Sequence, residues 1–384
     1  MYALAVFTAA LAGASLLQTV AGYLAVRRFA STPAPEPPVR PPITILKPLH
    51  GAEPMLEQAL ASVCTQRYPA YQVVFGVQNA TDPALGVVQH LRARFPGCDI
   101  AAVVEPTAHG ENRKIGNLIN MLPAAKHDVL VIADSDVHCA ADFLDRVAAT
   151  LALPGTGLVT TLYVGLATVP SLAGRLGATW ITHNFLPGAL LARTLGRQDC
   201  LGATMTLRRE TLASIGGLEA LADHLADDHV LGRLVRERGL AVRLAATVPA
   251  TTVGEATLSA LFRHELRWAR TIRSLVPVSF LLSALQYPLF WAALAVGLSA
   301  GGYWAPALFV LAWVLRAAAA RGIDAALGLA RAGLATPAPI WLLPVRDLMS
   351  VFVLLASYAS DRVEWRGQVL HAAPYRRVLG IGRS

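Results

Sequence analysis

The sequence predicts an α/β protein whose mostly parallel, mixed sheet is covered by helices and tethered to a membrane near both ends. Three observations predict it. Short β-rich runs alternate with helix-like stretches between Ile43 and about Arg273. Charge vanishes from Tyr2 to Val26 and again from Ser274 to Leu315. Only 15% of the 384 residues are charged, against 54% hydrophobic, whereas a soluble domain is nearer a quarter charged. Strand–helix alternation is the pattern of a parallel sheet with helices on both faces.

Residues 1–28 form the first element. They suffice to cross a bilayer, which takes about 20 apolar residues. Arg27 and Arg28 follow the apolar run, whereas a cleavable signal peptide carries its positive charge before it. A retained transmembrane anchor is therefore expected, with the N-terminus outside and the chain continuing in the cytoplasm. Residues 29–42 contain STPAPEPPVRPP, a proline-rich linker that suits neither helix nor inner strand. Residues 43–273 form the catalytic-domain candidate, with strands ITIL, QVVFGV, IAAVV, VLVIAD and GLVTTLYV and helices PMLEQALASVC and ALGVVQHLRARF. Ligands of such sheets bind beyond the carboxyl ends of the strands, and Asp82, Asp134 and Asp136 all lie at or just past a predicted strand end.

Residues 274–321 have room for two transmembrane helices, bent at GLSAGGYWAP. Arg270 and Arg273 precede the pair and Arg316 and Arg321 follow it, which puts both ends in the cytoplasm. Residues 322–384 read as an amphipathic or re-entrant membrane segment and a basic tail. Arg346 and Asp347 interrupt the apolar run 338–360, and a charge pair in mid-membrane is expensive. A third crossing would also put Arg362, Arg366, Arg376 and Arg377 outside.

The net charge of +8 comes almost entirely from arginine, which suits an anionic leaflet or a phosphate-bearing substrate. No basic run with interleaved aromatics is present, which argues against nucleic acid as a partner. Cys64, Cys98, Cys139 and Cys200 have neither C-x-x-C nor zinc spacing and read as reduced thiols of a protein facing the cytosol.

The chemistry centres on VLVIADSDV. Asp134 and Asp136, two apart on extended chain, point to one side, and their repulsion calls for a cation. A divalent ion bridging carboxylates and a diphosphate supplies it, while the plainer reading is a solvated turn. In ADHLADDHVLG, Asp227 and Asp228 are either first-turn dipole partners or include a general base. In FRHELRWART, Arg267 and Trp268, with His264 nearby, are either interfacial membrane contacts or a diphosphate clamp. Asp82, in NATDPAL, is a turn-forming aspartate or accepts a hydrogen bond from a nucleotide base. Lys114, in ENRKIGNL, sits on a solvated face or contacts phosphate. His183, in WITHNFLPG, has no role from local chemistry alone.

Together these pieces resemble the ceramide glucosyltransferase family, glycosyltransferase family 21: membrane-bound inverting enzymes with a GT-A domain. The resemblance runs in order through ILKPLHGAEP, NATDPA, RKIGNL, ADSD, THNF, GATMTLRRE, ADDHVLG and LRW, with VEWRG near the end. It implies that Asp82 lies near the nucleotide and that Asp134 and Asp136 bind Mg2+ or Mn2+. It implies Asp228 as catalytic base, His183 in the donor site, and Arg267 and Trp268 as the end of a Q/R-x-x-R-W motif. His264 stands where that motif has Gln or Arg, and Asn79 where eukaryotic members have Asp. These departures, with the Ala, Leu, Arg and Gly bias of a GC-rich bacterium, are similar to bacterial members of hopanoid biosynthesis. The implied partners are UDP-N-acetylglucosamine, the lipid polyol bacteriohopanetetrol and the inner membrane. The alternatives are ceramide glucosylation from UDP-glucose and a non-catalytic protein that binds sugar-lipid.

Overall fold

In a computed structural model, the described residues are all but 34, 36–38, 169–170, 330–336, 338, 366–367 and 372–384. The tail arginines Arg366, Arg376 and Arg377 lie outside them. The chain divides into two compact units. One holds Val20–Ala256 with Ala318–Pro339, and the other holds Met1–Thr19, Thr257–Ala317 and Ile340–Ser384.

The first unit is built on a seven-stranded sheet. Its strands are β1 (Ile43–Pro48), β2 (Tyr71–Val77), β3 (Asp99–Val104), β4 (Val129–Ala133), β6 (Thr156–Thr160), β8 (Thr204–Arg208) and β9 (Ala241–Leu244). Their spatial order is β3-β2-β1-β4-β8-β6-β9. β1 pairs in parallel with β2 and β4, and β2 with β3, while β8 runs antiparallel between β4 and β6. β4 returns to the far side of β1, so the order reverses between these two strands. The carboxyl ends of β1 and β4 thus flank a topological switch point, where open α/β sheets place ligands.

The run VLVIA becomes a fully buried strand because both its faces are covered. Val129 and Val131 pack into one core with the helices Leu56–Cys64 and Phe143–Leu151. Leu130 and Ile132 pack into the opposite core with the helices Arg113–Met121 and Asp227–Glu237. The side-chain period of two distributes one apolar run over two layers. A small second sheet joins β5 (Val137–His138), β10 (Ala250–Val253) and β7 (Val164–Ala167) in the order β5-β10-β7. GLVTTLYV, expected as one strand, is split: β6 ends at Thr160 and β7 begins at Val164. Thr161 turns inward to bond Thr204, which breaks the run between the two sheets.

Tyr2–Ser31, whose residues up to Thr19 belong to the other unit, is a helix long and apolar enough to cross a membrane. Trp304–Ala326 and Ile340–Ser357 pass the same test by length and composition. Pro277–Gln286 and Pro288–Leu298 form a pair bent by 68°, at a proline that cannot continue the ladder. The break falls between Gln286 and Pro288. Arg316, expected beyond the second span, lies inside the helix Trp304–Ala326 and is 2% exposed. It pairs with Asp347 at 3.7 Å. Arg346 grips Glu265 with two bonds of 2.7 Å. Every charge in this cluster has a partner, which lets Arg346 and Asp347 sit in an apolar helix.

Candidate active site

Asp134 and Asp136 leave the carboxyl end of β4, beside the switch point. The Asp134 N–H donates to the Ala203 carbonyl at 3.1 Å, which fixes the start of the turn. The Asp136 carbonyl accepts the Thr252 N–H at 3.2 Å, and its carboxylate accepts the Thr251 hydroxyl. The D-x-D segment is thus held from one side by the chain entering β8 and from the other by β10.

The cation that the acid pair demands is partly internal. Lys114, on the first turn of Arg113–Met121, places Nζ 2.6 Å from Asp134 Oδ1 and 3.5 Å from Asp227 Oδ2. Burial pulls its pKa down, but the charges of Asp134 and Asp227 outweigh it and hold the ammonium firmly protonated. Asn112 caps the same helix, accepting the N–H groups of Lys114 and Ile115 at 3.0 and 3.1 Å, and so positions the lysine. A second cation lies underneath. Lys47, in β1, is 0% exposed and donates to the carbonyls of Val137 at 2.9 Å and Ser135 at 3.3 Å. Its ammonium, whose pKa burial lowers, pins the backbone of the D-x-D turn. Local sequence reasoning gave Lys47 no role. Its one hint is a lysine directly following a run read as buried strand.

Asp228 opens the helix Asp227–Glu237. Its carboxylate accepts the Gly202 N–H at 3.0 Å and the His229 N–H at 2.7 Å. A Cβ on Gly202 would stand 2.8 Å from Asp228 Oδ2, so only glycine lets the backbone come this close. Burial and the adjacent Asp227 charge push the Asp228 pKa up to about 6. Burial and the charge of Asp134 push Asp136 up to about 6 as well. A carboxylate raised this far is suited to take a proton near neutral pH.

The oxygens of Asp82 accept the Gly51 N–H at 3.0 Å and the Ala84 N–H at 2.9 Å. It joins the loops after β1 and β2, with Gly51 at φ +74°. His183 is buried against Asp324, Nε2 to Oδ1 at 2.7 Å. His264, Arg267 and Trp268 lie on the helix Leu258–Leu275, in the other unit, where the His264 and Trp268 rings meet edge-on at 4.3 Å. The structure therefore brings Asp134 and Lys114 together with Asp227, and sets Asp228 on the same helix turn as Asp227.

The residues present fit a divalent cation of one kind. Asp134 and Asp136 offer oxygen only, as hard cations prefer, and an ion bound by one or two carboxylates completes its shell with phosphate and water. Among the described residues no group of three or more His, Cys, Asp or Glu is arranged to hold a metal alone.

The seven-stranded mixed sheet, with acids and a lysine at its switch point, has a GT-A-like fold. The profile of glycosyl transferase family 21 matches residues 5–378, and the chain belongs to that family of sugar-transferring enzymes. Relatives include ceramide glucosyltransferases 1 and 3 of Caenorhabditis elegans. The first is 22% identical over 71% of this chain and 58% of that protein. The second is 23% identical over 87% of this chain and 73% of that protein. The beta-monoglucosyldiacylglycerol synthase of Synechocystis sp. is 24% identical over 68% of this chain and 54% of its own length. In fold the chain is similar to a mannosyltransferase from Pyrobaculum calidifontis, solved with GDP-Man and Mn2+. The TM-score is 0.51 at 19% identity, over 92% of this chain and 99% of that one.

Proposed function

We propose that this chain is a membrane-bound inverting glycosyltransferase that moves N-acetylglucosamine from UDP-N-acetylglucosamine to the terminal hydroxyl of bacteriohopanetetrol. Its catalytic domain faces the cytoplasm from the inner membrane. The observation that carries the reading is Asp228, a carboxylate raised to about 6 and held by two backbone N–H groups, next to the Asp227–Lys114–Asp134 chain of charges.

Asp134 and Asp136 would hold Mg2+ or Mn2+, which when bound offsets the charge gathering on the departing UDP. Lys114 pairs a phosphate oxygen from its place beside Asp134. Lys47 keeps the turn rigid, so the acids need little reorganisation. Asp82 would accept a hydrogen bond from the nucleotide base. Arg267 and Trp268 are assigned to the diphosphate by their motif, and His264 varies its first position. Asp228 takes the acceptor hydroxyl proton as that oxygen bonds the anomeric carbon and the carbon–oxygen bond to UDP breaks on the opposite face. The anomeric centre inverts. General-base help of this kind contributes about a hundredfold to ten-thousandfold.

The departures at Asn79 and His264 point away from a eukaryotic ceramide enzyme, and the hopanoid substrate follows from the resemblance to bacterial members. A second reading, glucose passed to ceramide or diacylglycerol, is favoured by the names of the relatives. The test incubates membranes containing the protein with UDP-N-acetylglucosamine or UDP-glucose and each lipid acceptor, and weighs the lipid product by mass spectrometry. A hexosamine-bearing hopanoid is expected. A hexosyl-ceramide or hexosyl-diacylglycerol selects the second reading, and no glycolipid with any pair defeats both.

A further inference from the structure

We infer that Glu53 is a positioning residue for the D-x-D turn, and that its carboxylate acts through the Ser135 hydroxyl to set Asp134 and Asp136 for a divalent cation. The inference rests on the reading of those two acids as the metal-holding pair of the transfer site.

The Val137 N–H closes a turn onto the Asp134 carbonyl at 3.2 Å, which leaves Ser135 and Asp136 at its two corners. Each of the three consecutive side chains is held by a different element. Asp134 meets Lys114 of the helix Arg113–Met121 at 2.6 Å. Asp136 accepts the Thr251 hydroxyl of β10. Ser135, only 6% exposed, donates its hydroxyl to Glu53 Oε2 at 2.5 Å, across 82 residues of sequence. A bond from a hydroxyl to a carboxylate is charge-assisted and stronger than a neutral one. Lys47 pins the backbone of the same turn through the carbonyls of Ser135 and Val137. Glu53 thus supplies the third side-chain anchor of the turn, at the residue between the two acids.

An anchor needs a rigid base, and the loop after β1 gives Glu53 one. The Leu49 N–H donates to the Gly76 carbonyl of β2 at 2.8 Å, and the Gly51 N–H reaches both Asp82 oxygens at 3.0 Å. Past Glu53, the Leu56 N–H returns to the Glu53 carbonyl at 3.2 Å. Met55 holds φ +58°, a left-handed conformation that costs energy in a residue with a side chain and clusters at functional sites. A Cβ on Gly254 would stand 3.1 Å from Pro54 Cγ, so the loop is pressed against the end of β10, the strand that holds Asp136. One short loop therefore carries Gly51 to Asp82 and Glu53 to Ser135. Among the described residues no group of three or more His, Cys, Asp or Glu is arranged to hold a metal, which puts Glu53 behind the acid pair rather than beside it as a ligand. Groups that orient metal ligands from behind govern metal affinity nearly as strongly as the ligands themselves.

Purified full-length protein in detergent is titrated with UDP by calorimetry over a range of Mn2+ concentrations. Glu53→Ala and Ser135→Ala remove the bond from either side, and Glu53→Gln keeps an acceptor oxygen in its place. The Mn2+ concentration for half-maximal UDP binding should rise by about tenfold to a hundredfold in each alanine variant, and stay within about threefold of wild type in Glu53→Gln. The double variant Glu53→Ala/Ser135→Ala should be no worse than either single, because both remove one interaction. At saturating Mn2+ every variant should bind UDP within about twofold of wild type, because excess metal offsets a weaker site by mass action, and this reports an intact loop. A rise in Glu53→Ala with Ser135→Ala unchanged would make Glu53 a direct contact and overturn the inference. An equal loss of UDP affinity at every Mn2+ concentration would make the bond merely structural and overturn it too. So would an unchanged Mn2+ dependence in both alanine variants. Wild-type UDP binding that ignores Mn2+ would instead sink the metal-pair reading on which the inference stands.

Discussion

Replacing Asp228 by asparagine separates the base from everything around it. The carboxylate accepts N–H groups from Gly202 at 3.0 Å and His229 at 2.7 Å. An amide keeps one oxygen for one of these donors and turns an NH2 toward the other. The resulting unpaired contact should cost about 1–3 kcal/mol of stability, which a folded unit tolerates and thermal unfolding registers. The catalytic loss should be larger. A general base supplies about a hundredfold to ten-thousandfold, equivalent to about 3–5 kcal/mol of barrier. UDP release with saturating donor and acceptor should therefore fall by that factor in Asp228→Asn. Calorimetric affinity for UDP with Mn2+ should stay within about twofold, since Lys114 and the D-x-D pair are untouched. A collapse of UDP affinity with normal turnover of the substrate that still binds would refute the reasoning.

Other consequences follow from the same charges. Asp228 has its pKa raised to about 6, so it is ionised above that pH and protonated below it. With Mn2+ saturating, so that Asp136 is held ionised, kcat/KM should hold above about pH 6 and fall about tenfold per unit beneath it, while an acid limb near 4 would contradict the burial argument. Lys114→Met leaves Asp134 and Asp227 facing each other without their shared cation. Removing the cation from a partly solvated pair leaves two like charges facing each other, so both thermal stability and UDP affinity should drop, and Lys114→Met/Asp227→Asn should recover part of the stability. In the membrane-helix unit, Arg346→Met strands Glu265 and should lower the unfolding temperature in detergent, whereas Glu265→Leu/Arg346→Met should unfold close to wild type.

Residues whose placement follows from position along the chain were legible in the sequence. VLVIA had to be a strand buried on both faces, and the sheet rule then placed Asp134 at its carboxyl end. Residues whose role depends on distant contacts were hidden. Lys47 bonds carbonyls 88 and 90 residues away, and a lysine in a strand is by default a surface residue. His183 found its partner 141 residues on, in the segment that the sequence placed after the two transmembrane helices. β8 escaped notice because MTLRR lacks a continuous apolar run; it is the antiparallel strand that carries Gly202 and Ala203 to the site. Arg346 and Asp347 were read as an obstacle to a spanning helix. Their partners Glu265 and Arg316, on two other helices, remove the obstacle in a way no local pattern announces.

In the proposed mechanism the acids at the end of β4 would hold a sugar nucleotide through a divalent cation. Calorimetry of UDP binding to the purified protein, with and without Mn2+, in wild type and in Asp134→Asn and Asp136→Asn, tests it most directly. UDP should bind wild type tightly only when Mn2+ is present, and each substitution should abolish that dependence together with most of the affinity. Equal UDP affinity in all three proteins, with the metal or without it, would contradict the account.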